Sequence, residues 1–358
     1  MEIIKQDELK RKLRAGQIAP VYFLYGNEPY LIQYDTELIK KSTVTALPEM
    51  NYKYYDTDHN ADEIYSVAFG VPMLSLKKCV VVSDCNLKGI SEKELKVYLD
   101  LCENPSDVSV VVFTFGGADI ALDNSYKSKT QPKAYKKLAE AVIKGGGVVA
   151  EINHLTTGEI VKTLVSGAAR RHCILEPNVA RYMIERCSDG LTTLLCEMEK
   201  LCAYLKDGTI TTELIDKIST RSVSARVFDM SKAVLQNNLT GSMDILSDLL
   251  YQRVNPQEIL RELSKSYIDI FRMSAAARAN VPVSVVAKDF SYNNRSFVLN
   301  TAAGYAKRLS ARQIEESLSE LSKTDLMLKG GSRMPKSTIL EMLIVRLLMI
   351  AQKGEGAV

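Results

Sequence analysis

Up to about residue 145 the chain alternates short apolar runs with amphipathic stretches, and from about residue 155 the runs cease. The strand candidates are residues 21–25, 79–82, 109–113 and 148–151, all rich in β-branched residues. Runs that are apolar throughout suit strands covered on both faces, as in parallel sheets. Helical patterns at 31–42 and 91–101 lie between them, and strands alternating with helices imply βαβ units and a mainly parallel sheet. Gly145-Gly146-Gly147 comes before its strand, whereas a dinucleotide fingerprint follows one, so it reads as a turn.

Beyond residue 155 every pattern is helical. Thr156 with Glu159 three residues on reads as a capping box, followed by Val161, Leu164 and Ala168. Helices are expected over 177–184 and 191–204, a turn at Asp207-Gly208-Thr209, and one more helix start capped by Thr211. Val227, Phe228, Met230, Ala233 and Val234 mark one amphipathic face, and Ile259, Leu260, Leu263, Tyr267, Ile270 and Phe271 another. Residues 339–351 are apolar around most of the helix, which predicts burial in a bundle or an interface. These readings divide the chain into an α/β domain at 1–150, a small helical domain at 151–220 and a helical bundle at 221–358.

A chain of 358 residues is too long for one ordinary core. With 46% hydrophobic and 25% charged residues it has ample apolar surface to bury. A net charge of +3 is small for a surface that grips nucleic acid throughout, so DNA contact is expected to be local or shared with partners. The first 14 residues lack the apolar core of a signal peptide, and the longest apolar run, 342–351, contains Arg346 and is too short to span a bilayer. A cytoplasmic protein without a membrane segment is expected. None of the seven cysteines (Cys79, Cys85, Cys102, Cys173, Cys187, Cys196, Cys202) has C-x-x-C spacing, so free thiols in a reducing compartment are expected. His59, His154 and His172 stand beside no nucleophile or ligand cluster, and no metal or cofactor is proposed.

Residues 20–32, PVYFLYGNEPYLI, read as a buried strand, a tight turn and a helix, the frame of a phosphate-binding loop. Such a loop needs a second glycine, a lysine and a Ser or Thr to hold phosphates and magnesium. None follows Gly26, and Glu28 places a carboxylate where a triphosphate would sit. Taken alone, the segment is better accounted for as an ordinary strand–turn–helix of another α/β protein. Asp84 stands where an ATPase carries its acidic pair, but Cys85 and Asn86 follow it, which argues against a metal role. Arg170 and Arg171 lie in the small helical domain and read as surface charge.

Lys127, Lys129, Lys133, Lys136 and Lys137, with Tyr126 and Tyr135 among them, read as a solvated stretch leading into a helix or as a contact to DNA phosphates. Met73 and Leu74 follow Pro72 and are flanked by Ser75, Lys77 and Lys78. As an exposed apolar pair with a polar rim they suit a partner's pocket; alternatively they cap the core of the sheet.

Three stretches together resemble the delta subunit of the bacterial DNA polymerase III clamp loader: GQIAPVYFLYGNEPYLIQ at 16–33, VPMLSLKKCVVVSDCNLKG at 71–89, and a third that runs from LLCEMEKLCAYLKDGTITTELI at 194–215 through ARVFDMSKAVLQNN at 225–238 to LLYQRVNPQEILRELSKSY at 249–267. KTDLMLKGG at 323–331 also fits, so the resemblance spans nearly the whole chain. It implies an AAA+-like α/β domain with a parallel sheet but no ATP binding, then a small helical lid domain and a C-terminal helical collar. It also implies no catalysis of its own and assembly with motor subunits (gamma/tau) and delta-prime around primed DNA. The N-terminal domain is then expected to bind the sliding clamp (beta) through the residues that match Met73 and Leu74 and to open one clamp interface. Met73 departs from the aromatic often found there. The competing expectations are an active AAA+ ATPase with an atypical phosphate loop, and a helical nucleic-acid-binding regulator; no Gly-Lys-Ser/Thr triplet and no strongly basic recognition helix support them.

Overall fold

The computed structural model describes residues 3–56, 60–87, 89–116, 133–187, 190–290, 292 and 296–352. They form two compact units, Met1–Leu155 and Thr156–Val358.

In order, the first unit comprises β1 (Ile4–Lys5), α1 (Gln6–Arg14), β2 (Val21–Gly26), α2 (Pro29–Thr43), α3 (Pro48–Asn51), β3 (Tyr52–Tyr55), α4 (Ala61–Phe69), β4 (Lys78–Val82), α5 (Glu92–Glu103), β5 (Ser109–Gly116), α6 (Lys133–Lys144) and β6 (Val148–Glu151). The six strands make one sheet in the order β1-β6-β2-β5-β4-β3, and every pair is parallel. All six residues of β2 are buried, as continuous apolar runs require of strands covered on both faces. Val21 is in register with Val111, Lys78 with Ser109 and Tyr52 with Cys79. Phe23, Val80, Phe113, Leu138 and Tyr98 are among the residues that fill the core between sheet and helices.

The four expected strands are present, joined by β1 and β3. Only two residues long, β1 leaves no pattern. The sequence Tyr-Lys-Tyr-Tyr of β3 is half-exposed at the sheet edge, so it carries no apolar run. Because the sheet is wholly parallel, the starts of β3, β4 and β5 share one end, and Gly26, Val82 and Gly116 mark the other.

Helices dominate the second unit: α7 (Thr157–Ala169), α8 (Pro177–Cys187), α9 (Leu191–Leu205), α10 (Thr212–Ile218), α11 (Val223–Leu235), α12 (Leu239–Tyr251), α13 (Pro256–Arg278), α14 (Val283–Asp289), α15 (Ser296–Ala306), α16 (Ala311–Leu326) and α17 (Lys336–Gln352). The Thr156–Glu159 capping box is formed, and the Thr211 side chain accepts from the Leu214 amide. One expectation is corrected: β7 (Cys173–Ile174) and β8 (Gly208–Thr209) pair in parallel, so strands do recur after residue 155 and the segment at 207–209 is more than a turn. Two paired residues are too few to print a periodicity.

Leu164, Met183, Met198 and Leu201 centre one apolar cluster formed by α7 to α10. Val227, Leu249, Leu263 and Leu347 belong to a second, and Ile270, Met273, Leu299 and Ile314 to a third. Most of the two expected faces is buried, but Phe271 is exposed, as are Val345 and Met349 on α17, so that helix is not buried all round. Among the described residues, no helix is long and apolar enough to cross a membrane.

Candidate functional site

At the C-terminal end of the parallel strands, where α/β sheets commonly bind ligands, the turn after β2 is closed by the protein itself. Gly26 has φ +145, and a Cβ built on it would stand 1.9 Å from the Ile152 carbonyl oxygen. Glycine is therefore required here for close backbone approach. The Ile152 amide donates to the Tyr25 carbonyl at 2.8 Å, and the Glu28 amide donates to the Ile152 carbonyl at 3.4 Å. The Glu28 side chain is buried and lies 2.9 Å from Nδ1 of the exposed His154. A backbone amide that would face a phosphate is thus spent on the neighbouring strand's extension, and an anion occupies the mouth of α2.

Nearby, Asp84 has φ +44, and its carboxylate accepts from the Gly116 amide at 3.3 Å while its own amide donates to Thr114 Oγ1 at 3.3 Å. It ties two strand ends together. Among the described residues no group of three or more His, Cys, Asp or Glu is placed to hold a metal.

The opposite end of the sheet presents a loop at 70–77, between α4 and β4. Its apolar side chains point to solvent: Val71 is 82% exposed, Met73 51%, Leu74 84% and Leu76 82%. Met73 and Leu74 therefore do not cap the core. The backbone of this loop is fastened from below. Asn51, at the end of α3 and fully buried, receives a hydrogen bond from the Met73 amide at 2.7 Å on its Oδ1. Its Nδ2 donates to the carbonyls of Met73 at 2.7 Å, Ala46 at 2.8 Å and Leu47 at 3.2 Å. A second tie runs from the Thr45 amide to Ser75 Oγ at 3.1 Å, and Ser75 Oγ donates to the Lys77 carbonyl at 3.0 Å. Leu74 itself sits in the left-handed region with φ +52, a conformation a leucine keeps only when its surroundings impose it. Since β3 and β4 are adjacent and parallel, the segments that precede them, 45–51 and 70–77, meet at this end.

Lys133, Lys136 and Lys137 are exposed on α6, while Lys127, Lys129 and Tyr126 lie outside the described residues, as does His59. Tyr135 is buried, accepts a hydrogen bond from the Leu87 amide at 3.0 Å and offers no ring to a base. Arg171 pairs with Glu199 and donates to the Gly167 carbonyl, and Arg170 is exposed. Six cysteines are buried and free, with Cys196 exposed. Burial pushes the Cys79 and Cys85 thiols up to about 12, which makes them inert packing groups.

Reasoning from sequence missed Val71, Leu76 and Asn51. The alternation Val71-x-Met73-Leu74-x-Leu76 between a helix and a strand was the available signal for the first two; nothing local marks Asn51.

Residues 22–140 match the family described as DNA polymerase III, delta subunit, and residues 224–347 match DNA polymerase III delta subunit, C-terminal domain. The DNA polymerase III subunit delta of Bacillus subtilis (strain 168) is 22% identical over 357 residues, covering 96% of this chain and 97% of that protein. A solved structure, the Bacillus subtilis DNA clamp loader delta protein, superposes with a TM-score of 0.61 at 21% identity, over 96% of this chain and 99% of the other. The fold is thus the α/β and helical arrangement of that clamp loader delta protein. The chain belongs to the DNA polymerase III delta subunit family.

Proposed function

We propose that this chain is the clamp-opening subunit of its clamp loader, docking on the sliding clamp (beta) through Met73 and Leu74, with Val71 and Leu76 enlarging the contact. The observation that carries this reading is the exposure of four apolar side chains on one fastened loop of the first unit. Fully burying an apolar side chain of this size contributes roughly 2 kcal/mol, so two or three anchors supply much of a useful affinity. Methionine and leucine adapt to an apolar pocket, and Ser75 with Lys77 forms a polar rim. The binding free energy opens one clamp interface only to the extent that the open form is bound more tightly than the closed one.

In this reading the subunit neither binds nor hydrolyses ATP. The closed turn at Gly26 and the Glu28 carboxylate support that, as does the lack of a Gly-Lys-Ser/Thr triplet. Motor subunits (gamma/tau) supply the hydrolysis; they and delta-prime are joined through the C-terminal bundle, whose exposed Val345 and Met349 on α17 suit such a contact. Primed DNA is met through the assembled complex, with Lys133, Lys136 and Lys137 as the exposed candidates. The three-part division at about residues 150 and 220 is supported by the separate apolar clusters of α7–α10 and of the later helices. The protein works in the cytoplasm.

The test is binding of the purified chain to its own organism's sliding clamp. Met73→Asp with Leu74→Asp, on a chain that keeps its wild-type circular dichroism and melting temperature, is expected to weaken binding at least about a hundredfold, about 2.7 kcal/mol. Wild-type affinity in that variant would remove Met73 and Leu74 as the anchor.

A further inference from the structure

We propose that Asn51, with Ser75 as a second tie, is a positioning residue that holds the loop at 70–77 in its binding-competent form before any partner arrives. The inference rests on the reading of that loop as the clamp-docking element and deepens it. Neither Asn51 nor Ser75 offers an apolar surface to a partner, and Asn51 is fully buried. Yet every hydrogen bond of the Asn51 amide group faces backbone. Its Oδ1 accepts from the Met73 amide, and its Nδ2 donates to the carbonyl of Met73 on one side and to those of Ala46 and Leu47 on the other.

Two bonds to one residue fix both the amide and the carbonyl of Met73. That leaves the Met73 side chain free to point outward while its backbone is locked. The next residue, Leu74, is held at φ +52, which an unconstrained leucine rarely adopts. Both outward-facing anchors are therefore oriented by one buried side chain beneath them. Ser75 adds the bond from the Thr45 amide and returns one to the Lys77 carbonyl, so the loop is pinned on both sides of Leu74. Of the side chains in this region, Asn suits the task because it carries a donor and an acceptor at once. Asp can accept but cannot donate.

Pre-organisation has a kinetic signature distinct from contact. If the competent loop falls to a fraction f of molecules, the apparent dissociation constant rises by 1/f, and in rapid exchange the loss appears in the association rate. Removing a contact appears mainly in the dissociation rate. The experiment is therefore association and dissociation kinetics of the full chain on the immobilised sliding clamp. The variants are Asn51→Ala, Asn51→Asp, Ser75→Ala, Leu74→Ala and Met73→Asp/Leu74→Asp.

Asn51→Ala is expected to slow association about tenfold with dissociation changed less than twofold, and Asn51→Asp, which turns a carboxylate oxygen toward the Met73, Ala46 and Leu47 carbonyls, to slow it at least as much. Ser75→Ala should slow association about threefold, and Leu74→Ala should instead speed dissociation. Should the Asn51 variants fail to fold, Ser75→Ala carries the test, and wild-type association in it overturns the inference. Asn51→Ala with unchanged kinetics, or with faster dissociation alone, also overturns it while the docking reading stands, provided the double variant has lost binding. A double variant that binds like wild type sinks the docking reading itself.

Discussion

The two ends of one parallel sheet put polar atoms to opposite uses. At the C-terminal end, Gly26 lets the Ile152 backbone come within the space a Cβ would need, and the Glu28 amide, which would face a phosphate, is spent inside the protein. At the N-terminal end a buried amide side chain, Asn51, is spent on keeping apolar groups in water. Leaving Leu74 and Leu76 more than four-fifths exposed stabilises nothing in the free chain. The turn at the end of the sheet where α/β folds usually place ligands is closed here, and the end usually given to stability carries the loop proposed to dock. On that proposal, function follows from where the backbone is braced, more than from which fold the chain has.

That contrast is easiest to break at Gly26. Gly26→Val places atoms on the Ile152 carbonyl and demands φ +145 of a β-branched residue, so we expect a loss of about 4 kcal/mol or more, or no folded first unit, by urea denaturation followed by circular dichroism. A folded variant of wild-type stability would show that the turn is not closed as described. Next in size is the helix leaving that turn. Asp35 on α2 is fully buried, accepts from Gln6 Nε2 at 2.7 Å, and burial raises its carboxyl from 3.8 to about 6.

A raised carboxyl pKa means the folded state holds the proton more tightly than the unfolded one. The stability this contributes is complete below about pH 4 and lost as pH rises through about 6. Asp35→Asn should therefore gain about 2 kcal/mol over wild type at pH 7.5, and the advantage should fade as pH drops from 6 to 4. Melting temperatures across that range check it, and a constant difference would contradict it. Smallest is the expected effect of the loop at 70–77 on stability. Leu74→Asp and Leu76→Asp should each change unfolding free energy by less than about 0.5 kcal/mol, since both side chains already face water. A loss above 1 kcal/mol would mean that these residues pack against the fold after all.

Much of this was legible in the chain. The strands β2, β4, β5 and β6 announce themselves because burial on both faces forces unbroken apolar runs, and Thr156 with Glu159 is a local signal that forms as read. The absent phosphate chemistry around Gly26 was legible too, since a phosphate loop is a sequence-local device. Its closure was not, because the residue that closes it, Ile152, is far along the chain. The same holds for the loop at 70–77. Met73 and Leu74 could be picked out, but the contact that fastens the Met73 backbone comes from Asn51, 22 positions earlier, in a Met-Asn-Tyr stretch that carries no local signal. Edge strand β3 and the β7/β8 pair were missed because half-exposed or two-residue strands carry no run.

Hydrogen exchange of the full chain with and without its sliding clamp tests the central claim most directly. Docking through this loop protects amides within 70–77 and in the adjoining 45–51 segment when the clamp is added, and leaves the turn at 26–29 unchanged. Protection elsewhere, with 70–77 exchanging as fast as in the free chain, would contradict it.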